Sequence, residues 1–329
     1  MSKWTAAALC ALMGFAAPAI AADVTDGLHT TRPVGFVRVS VPDPKGPPIA
    51  VGIWYPTTAS PAPARLALIV QQVAIDGPVD GDKLPLVIIS HGTQGSLASH
   101  ADTALALADA GYVAAAPLHT GDNFADQSGV GGPQWFADRS RHVAATIDYM
   151  LTQWSGHTHV DPARVGMFGF SAGGTTALIA IGGRMQFDRV AQHCAKVQEI
   201  ACTLWKGGQA PDEPFTHDVR IKAAVIAAPG FGFAFVPNGL ANVTVPVQLW
   251  GGEADENVPV AANVEPVRTA LGNKVEFHLA RGAAHMSFVV PCNVDVEICV
   301  DPKGFDRKAF HAQFNAALVS FFDAKLKRP

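Results

Sequence analysis

The chain has 329 residues and a formal net charge of −4; 49% of its residues are hydrophobic and 16% charged. Such a length can bury a large core, in one α/β domain or two smaller ones, and such a composition excludes a disordered tail or a coiled coil. No basic run of any length occurs, which excludes nucleic acid as the expected partner, because phosphate neutralisation needs clustered Lys and Arg.

Taken in order, the chain opens on Lys3, an apolar run from Ala6 to Ala17, and Ala19-Ile20-Ala21. These are the three parts of an export signal, so the mature chain is expected from near Ala22. No later apolar run has the length of a bilayer span, and the mature chain is expected to lack a transmembrane segment. Cys10 falls inside the leader and leaves Cys194, Cys202, Cys292 and Cys299. An even number in an exported chain suits disulfides. Three pairings are open; Cys194 with Cys202 and Cys292 with Cys299 is favoured, because each pair brackets one short excursion. A four-cysteine zinc site is the alternative, but the spacing lacks the C-x2-C form, and no metal is expected.

Val34 to Val41 alternates like a strand, Pro42 to Pro48 reads as a turn, and Ile49 to Tyr55 is a second strand. Together they predict an antiparallel hairpin at one edge of a sheet. Thr57 to Asp82 reads as an irregular surface connection. Leu84 to Ser90 is a buried strand, Ser96 to Ala110 a helix stopped at Gly111, and Tyr112 to Pro117 another strand. After a polar loop from His119 to Pro133, residues Phe136, Val143, Ile147, Met150, Leu151 and Trp154 mark one face of a long helix. Val165 to Phe170 is again a strand. This alternation predicts a mostly parallel sheet with helices on both faces. Gly182 to Val219 breaks the rhythm and reads either as a lid or pocket wall, or as a surface loop stapled by a disulfide. Strands follow at Ile221 to Ala227, Val245 to Trp250 and Lys274 to Leu279, with a helix from Val260 to Leu271 and an amphipathic closing helix from Phe305 to Leu326. No repeat or second core is visible, so one α/β domain is expected over 22–329.

Gly169, Ser171 and Gly173 spell G-x-S-x-G between a strand and a helix, the pattern of a nucleophile elbow. The demand is steric: a serine at so sharp a turn presses its second neighbours together, and only residues without a bulky side chain fit. The bland alternative is a glycine-rich turn whose serine caps the helix. A serine nucleophile needs a histidine to take its proton and a carboxylate to orient that histidine. In this architecture the chain order is serine, acid, histidine. Asp255, in Trp250-Gly-Gly-Glu-Ala-Asp255, is the expected acid and Glu253 the alternate; His285, in a small-residue loop after the last strand, is the expected base. Two amides must face the oxyanion, and Ala172 N–H and Thr93 N–H are the candidates, with His91 bracing the second loop. Phe231, Phe233 and Phe235, with Trp205, either line an acyl pocket or seal the core.

At these residues the chain resembles the α/β-hydrolase superfamily, and within it the branch grouping dienelactone-hydrolase-like proteins with platelet-activating-factor acetylhydrolases. The resemblance runs from about Val34 to Phe322. It rests on Val34-Gly-Phe with Ile53-Trp-Tyr-Pro56, Ser90-His-Gly92, Asp161-Pro with Gly166 to Gly174, Gly252-Glu-Ala-Asp255 with Val258-Pro259, and Ala284-His285-Met-Ser-Phe288. It implies a single α/β-hydrolase domain in which Ser171, Asp255 and His285 serve as nucleophile, acid and base. Dienelactone hydrolases proper carry a cysteine where this chain has Ser171, and Phe170 stands where a histidine often precedes the serine. The expected activity is that of an exported serine hydrolase cleaving small or short-chain carboxylic esters through an acyl-enzyme, with no cofactor. A peptidase or an acyltransferase could use the same three residues, and a non-catalytic binding protein on the same scaffold is the remaining alternative.

Overall fold

A computed structural model describes residues 27–132, 134–207, 211, 214–292, 294 and 296–327; the expected leader lies outside the described residues. Among the described residues there are ten strands: β1 (Val34–Val41), β2 (Ile49–Pro56), β3 (Ala62–Leu66), β4 (Ile69–Ile75), β5 (Leu84–Ser90), β6 (Val113–Pro117), β7 (Val160–Phe170), β8 (Ile221–Ala227), β9 (Val247–Gly252) and β10 (Val275–Ala280). They form one sheet in the order β10-β9-β8-β7-β5-β6-β2-β1-β4-β3. From β6 through β5 to β10 all neighbours are parallel, whereas β2 runs antiparallel to both β6 and β1.

Every residue of β5 is buried, because helices cover both faces of the sheet. Leu86 and Ile88 point into one core with α2 (Trp135–Thr152), α3 (Ala172–Ala180) and α6 (Glu265–Leu271). Val87 and Ile89 point into the other, with α1 (Ala101–Asp109) and α7 (Arg307–Phe322). A strand covered on both sides loses the apolar–polar alternation, and each large aliphatic side chain so buried contributes about 1.5–3 kcal/mol. The helix after β5 packs on one face and the helix after β7 on the other. These two strands are adjacent, with β6 outside them, so the winding direction reverses there. The loops leaving their carboxyl ends diverge, and a crevice opens between them.

Several elements differ from the sequence expectation. The connection read as irregular contains a hairpin, β3–β4, whose tight turn puts Ala67 at φ 53° without a glycine or asparagine to signal it. Because β4 pairs with β1, the β1–β2 hairpin lies one hairpin in from the edge, and β3, which carries Pro63, takes the edge. The first helix starts at Ala101 rather than Ser96. Ser96 and Ser99 hydroxyls accept from Ala98 N–H and Ser96 N–H at 3.2 and 2.9 Å, and so hold a turn there. Val260–Val264 is a π-helical turn leading into α6, whose second residue, Pro266, has no N–H for a regular helical bond. The closing helix begins at Arg307, where Asp306 caps it by accepting from Ala309 N–H at 3.0 Å.

Among the described residues of 182–219 two short helices form, α4 (Phe187–Cys194) and α5 (Ile200–Leu204), joined by the Cys194–Cys202 disulfide. Cys292 and Cys299 form a second disulfide, so both pairings are the local ones and the sulfurs a zinc site would need are used. Val190 of α4 and Ala201 of α5 are buried in the core beside α2 and α3. Among the described residues, no helix is long and apolar enough to cross a membrane.

Candidate active site

Ser171 sits between β7 and α3 at φ 56°, ψ −120°, a left-handed conformation that costs a non-glycine residue about 1–3 kcal/mol. The surroundings over-determine it. Its N–H donates to the Ala227 carbonyl at 3.0 Å, and its carbonyl accepts from Thr175 and Gly230 N–H at 3.1 and 3.3 Å. A β-carbon on Gly169 would lie 2.1 Å from the Gly173 oxygen, and one on Gly173 would lie 1.9 Å from the Ser90 oxygen. Both glycines are therefore required by close backbone approach, as the motif predicts.

His285 opens a 3-10 turn, His285–Phe288, in the loop after β10. Its Nε2 lies 2.9 Å from Ser171 Oγ and its Nδ1 2.7 Å from Asp255 Oδ2. An ionised carboxylate can only accept, so Nδ1 carries the proton and Nε2 is left free to receive one from the hydroxyl. The other Asp255 oxygen accepts from Val258 N–H at 2.8 Å, which fixes the carboxylate in the loop after β9. Asp255 and His285 are buried at 5% and 6% exposure, while Ser171 is only partly covered. The Phe170 ring packs on the imidazole, centroids 4.7 Å apart. Glu253, the alternate acid, faces the other way: it accepts from Gly282 N–H at 3.0 Å and braces the loop ahead of His285.

Gly92 also presses against Ser171; a β-carbon there would lie 3.2 Å from Ser171 Cβ. Thr93 follows at this contact. Ala172 is the first residue of α3, where a helix offers amides without intrahelical carbonyls. His91 braces this loop as expected: Nδ1 donates to the Gly92 carbonyl at 2.7 Å and Nε2 accepts from His119 N–H at 3.2 Å. Burial, with Arg139 nearby, pushes its pKa down to about 4 and keeps the ring neutral.

Sequence reading missed an ion pair beneath that loop. Arg139 Nη1 lies 2.5 Å from Asp122 Oδ2, and both side chains are 1% exposed. The available signal was Arg139 itself, at helical spacing among Phe136, Val143 and Ile147 on the apolar face of α2.

The aromatic candidates divide. Phe231, held at φ 56°, meets Trp135, Phe136, Phe233 and Trp205 at centroid distances of 5.9, 5.6, 6.1 and 6.2 Å. This seam joins the 182–219 insertion to the loop that bonds Ser171. Phe235 is fully buried and makes none of these ring contacts. His193, Glu199 and Cys202 cluster within 4.8 Å of one another, but the Cys202 sulfur is already bonded to Cys194 and supplies no thiolate.

The model of the dienelactone hydrolase family matches residues 72–230, a stretch that runs from β4 through the Gly92 loop and the elbow to Gly230. Among solved structures, the chain is similar to a ferulic acid esterase from Streptomyces cinnamoneus: 19% identity, TM-score 0.62, covering 92% of this chain and 94% of that one. No curated protein matches the sequence. The chain has the fold of an α/β-hydrolase, and its 72–230 stretch is similar to the dienelactone hydrolase family. It is a hydrolase acting on carboxylic esters.

Proposed function

We propose that the protein is an exported serine esterase for small or short-chain esters. Ser171 attacks the ester carbonyl while His285 Nε2 takes its proton; Asp255 holds the imidazole in the required tautomer and balances the imidazolium. The tetrahedral oxyanion is received by Thr93 N–H and Ala172 N–H. Its collapse expels the alcohol, which leaves with the proton from His285, and a water activated by the same imidazole then releases the acid from the acyl-enzyme.

The observation that carries this reading is the unbroken series Asp255 Oδ2, His285 Nδ1, His285 Nε2, Ser171 Oγ, with links of 2.7 and 2.9 Å. The Phe231 seam supports the limit on acyl size, because its packed rings follow directly on Gly230, whose N–H bonds the Ser171 carbonyl. Export is supported by the leader-like residues 1–21 and by two disulfides, which persist in oxidising compartments. The test is hydrolysis of p-nitrophenyl acetate with fluorophosphonate labelling. The unaltered protein is expected to turn over and to label at Ser171, and Ser171→Ala to lose both while keeping its circular dichroism. A Ser171→Ala variant that still hydrolyses the ester would refute the proposal.

A further inference from the structure

We infer that the buried Asp122–Arg139 pair is a positioning device that sets the two oxyanion-receiving amides relative to one another; this rests on the esterase reading above. The pair grips the Gly92 loop on both sides of the amide in question. Arg139 Nη2 donates to the His91 carbonyl, in the peptide just before the one carrying Thr93 N–H. Asp122 Oδ1 accepts from Gln94 N–H at 2.8 Å, in the peptide just after it. With both neighbouring peptide planes fixed, the plane between them has little freedom to turn. Gln94 sits at φ 60°, a left-handed conformation unfavourable for a side-chain-bearing residue, and the Asp122 bond is what holds it there.

The same guanidinium reaches, one peptide along, the residue that carries the other amide. Arg139 Nε donates to Thr176 Oγ1 at 2.9 Å, and that hydroxyl donates to the Ala172 carbonyl at 2.8 Å in the first turn of α3. One rigid planar group thus spans the loop after β5 and the helix after β7, the two sides of the crevice. Two more bonds tie the pair in: Trp135 Nε1 donates to Asp122 Oδ2 at 2.6 Å, and Arg139 Nη2 also reaches Ser90 Oγ at 3.2 Å. Stability alone does not account for this arrangement, since well-packed apolar residues commonly replace a buried ion pair at no loss. What apolar residues cannot do is aim two separate backbone segments at one point.

The test uses three variants of the full chain: Asp122→Asn, Arg139→Lys, and Thr176→Val, which cuts only the link to α3 and keeps the ion pair. Steady-state kinetics on p-nitrophenyl acetate are paired with inhibition by an aryl trifluoromethyl ketone, which forms a tetrahedral adduct with the serine and so reports on the oxyanion site. Displacing a reacting group by about 1 Å costs ~100-fold. The two ion-pair variants should therefore lose about 10- to 100-fold in kcat with KM within about threefold, and Thr176→Val about 3- to 10-fold. Ketone affinity should fall in proportion to kcat/KM. A merely structural role predicts lower melting temperatures with kcat and ketone affinity intact in the folded fraction, and that result, in Thr176→Val alone if the others fail to fold, overturns the inference. If the unaltered protein takes no fluorophosphonate label at Ser171, the esterase reading itself falls, and a labelled enzyme with indifferent variants removes only the positioning role.

Discussion

His311, on the closing helix, and Asp102, near the start of α1, form a buried pair 2.6 Å apart, and His311 Nε2 reaches on to the Ser287 carbonyl at 2.9 Å. Ser287 is two residues beyond His285. Burial pushes the Asp102 carboxyl up, but the His311 charge and the hydrogen bonds from His311 and Asn315 outweigh it and hold it below the ordinary carboxylate value. The ring thus bridges Asp102 on α1 and the backbone of the turn that carries His285. His311→Gln should therefore cost about 3 kcal/mol of stability, as breaking a buried pair does. Urea unfolding monitored by tryptophan fluorescence measures this, and kcat should fall with it because the His285 turn loses its tie to α7.

The two carboxylates of the loop after β9 should separate cleanly by mutation. Asp255→Asn leaves the imidazole in the wrong tautomer and is expected to lower kcat by ~10⁴. Glu253→Gln touches only the bond to Gly282 N–H and the Arg281 contact, and should stay within about threefold. Equal losses in the two variants would reassign the acid.

A run of neutral histidines makes the fold acid-sensitive in a defined window. Ser90 Oγ lies 2.9 Å from His119 Nε2, His119 Nδ1 3.2 Å from His142 Nδ1, and His142 Nε2 3.1 Å from Asp43 Oδ2. With both rings neutral, every link has one donor and one acceptor: Arg139 gives to Ser90, Ser90 to His119, His119 to His142, and His142 to Asp43. Burial drives His142 to about 4 against the opposing pull of Asp43, and drives His119 well below 6.5, with Arg139 adding to the effect. His91 is likewise at about 4. Between pH 6.5 and 4 the unfolded chain thus binds more protons than the folded one, and stability falls as pH falls. The Asp43 and Asp102 carboxyls, held below 3.8, add to the same loss only at the acid end of that window. Calorimetry should show Tm dropping by several degrees from pH 7 to pH 4, with a shallower slope in His142→Gln; a flat profile would contradict the neutral-ring assignment.

The Cys194–Cys202 bridge closes a separation of eight residues, for which loop entropy gives about 2–3 kcal/mol. A Cys194→Ser, Cys202→Ser double variant should melt earlier. Because α5 leads directly into Trp205 and its contact with Phe231, loosening it should also raise turnover of octanoate relative to acetate esters of p-nitrophenol. An unchanged chain-length profile would show that the insertion plays no part in acyl selection.

What the sequence could disclose follows from the range of each interaction. The elbow is local: Gly169 and Gly173 flank Ser171 within five residues, and their absent side chains are legible as letters. The buried strands are legible too, since β5 and β7 read as unbroken apolar runs between turn residues. Asp255 and His285 could be placed because strand order dictates which loops meet. The β3–β4 hairpin was not legible, because Ala67 adopts a backbone conformation its side chain does not advertise. Nor were Asp122 with Arg139, or Asp102 with His311, 209 positions apart. A charged residue on an apolar helix face announces that a partner exists, but only the packed chain says which one.

The reversal of winding between β5 and β7 places the reacting groups where the backbone itself parts, independent of the length or composition of any one loop. One ring of the Phe231 seam, Trp205, hangs on a separate, disulfide-stapled excursion. On the function proposed above, a changed 182–219 segment that keeps Val190 and Ala201 packed in the core is expected to alter acyl preference without moving Ser171, Asp255 or His285.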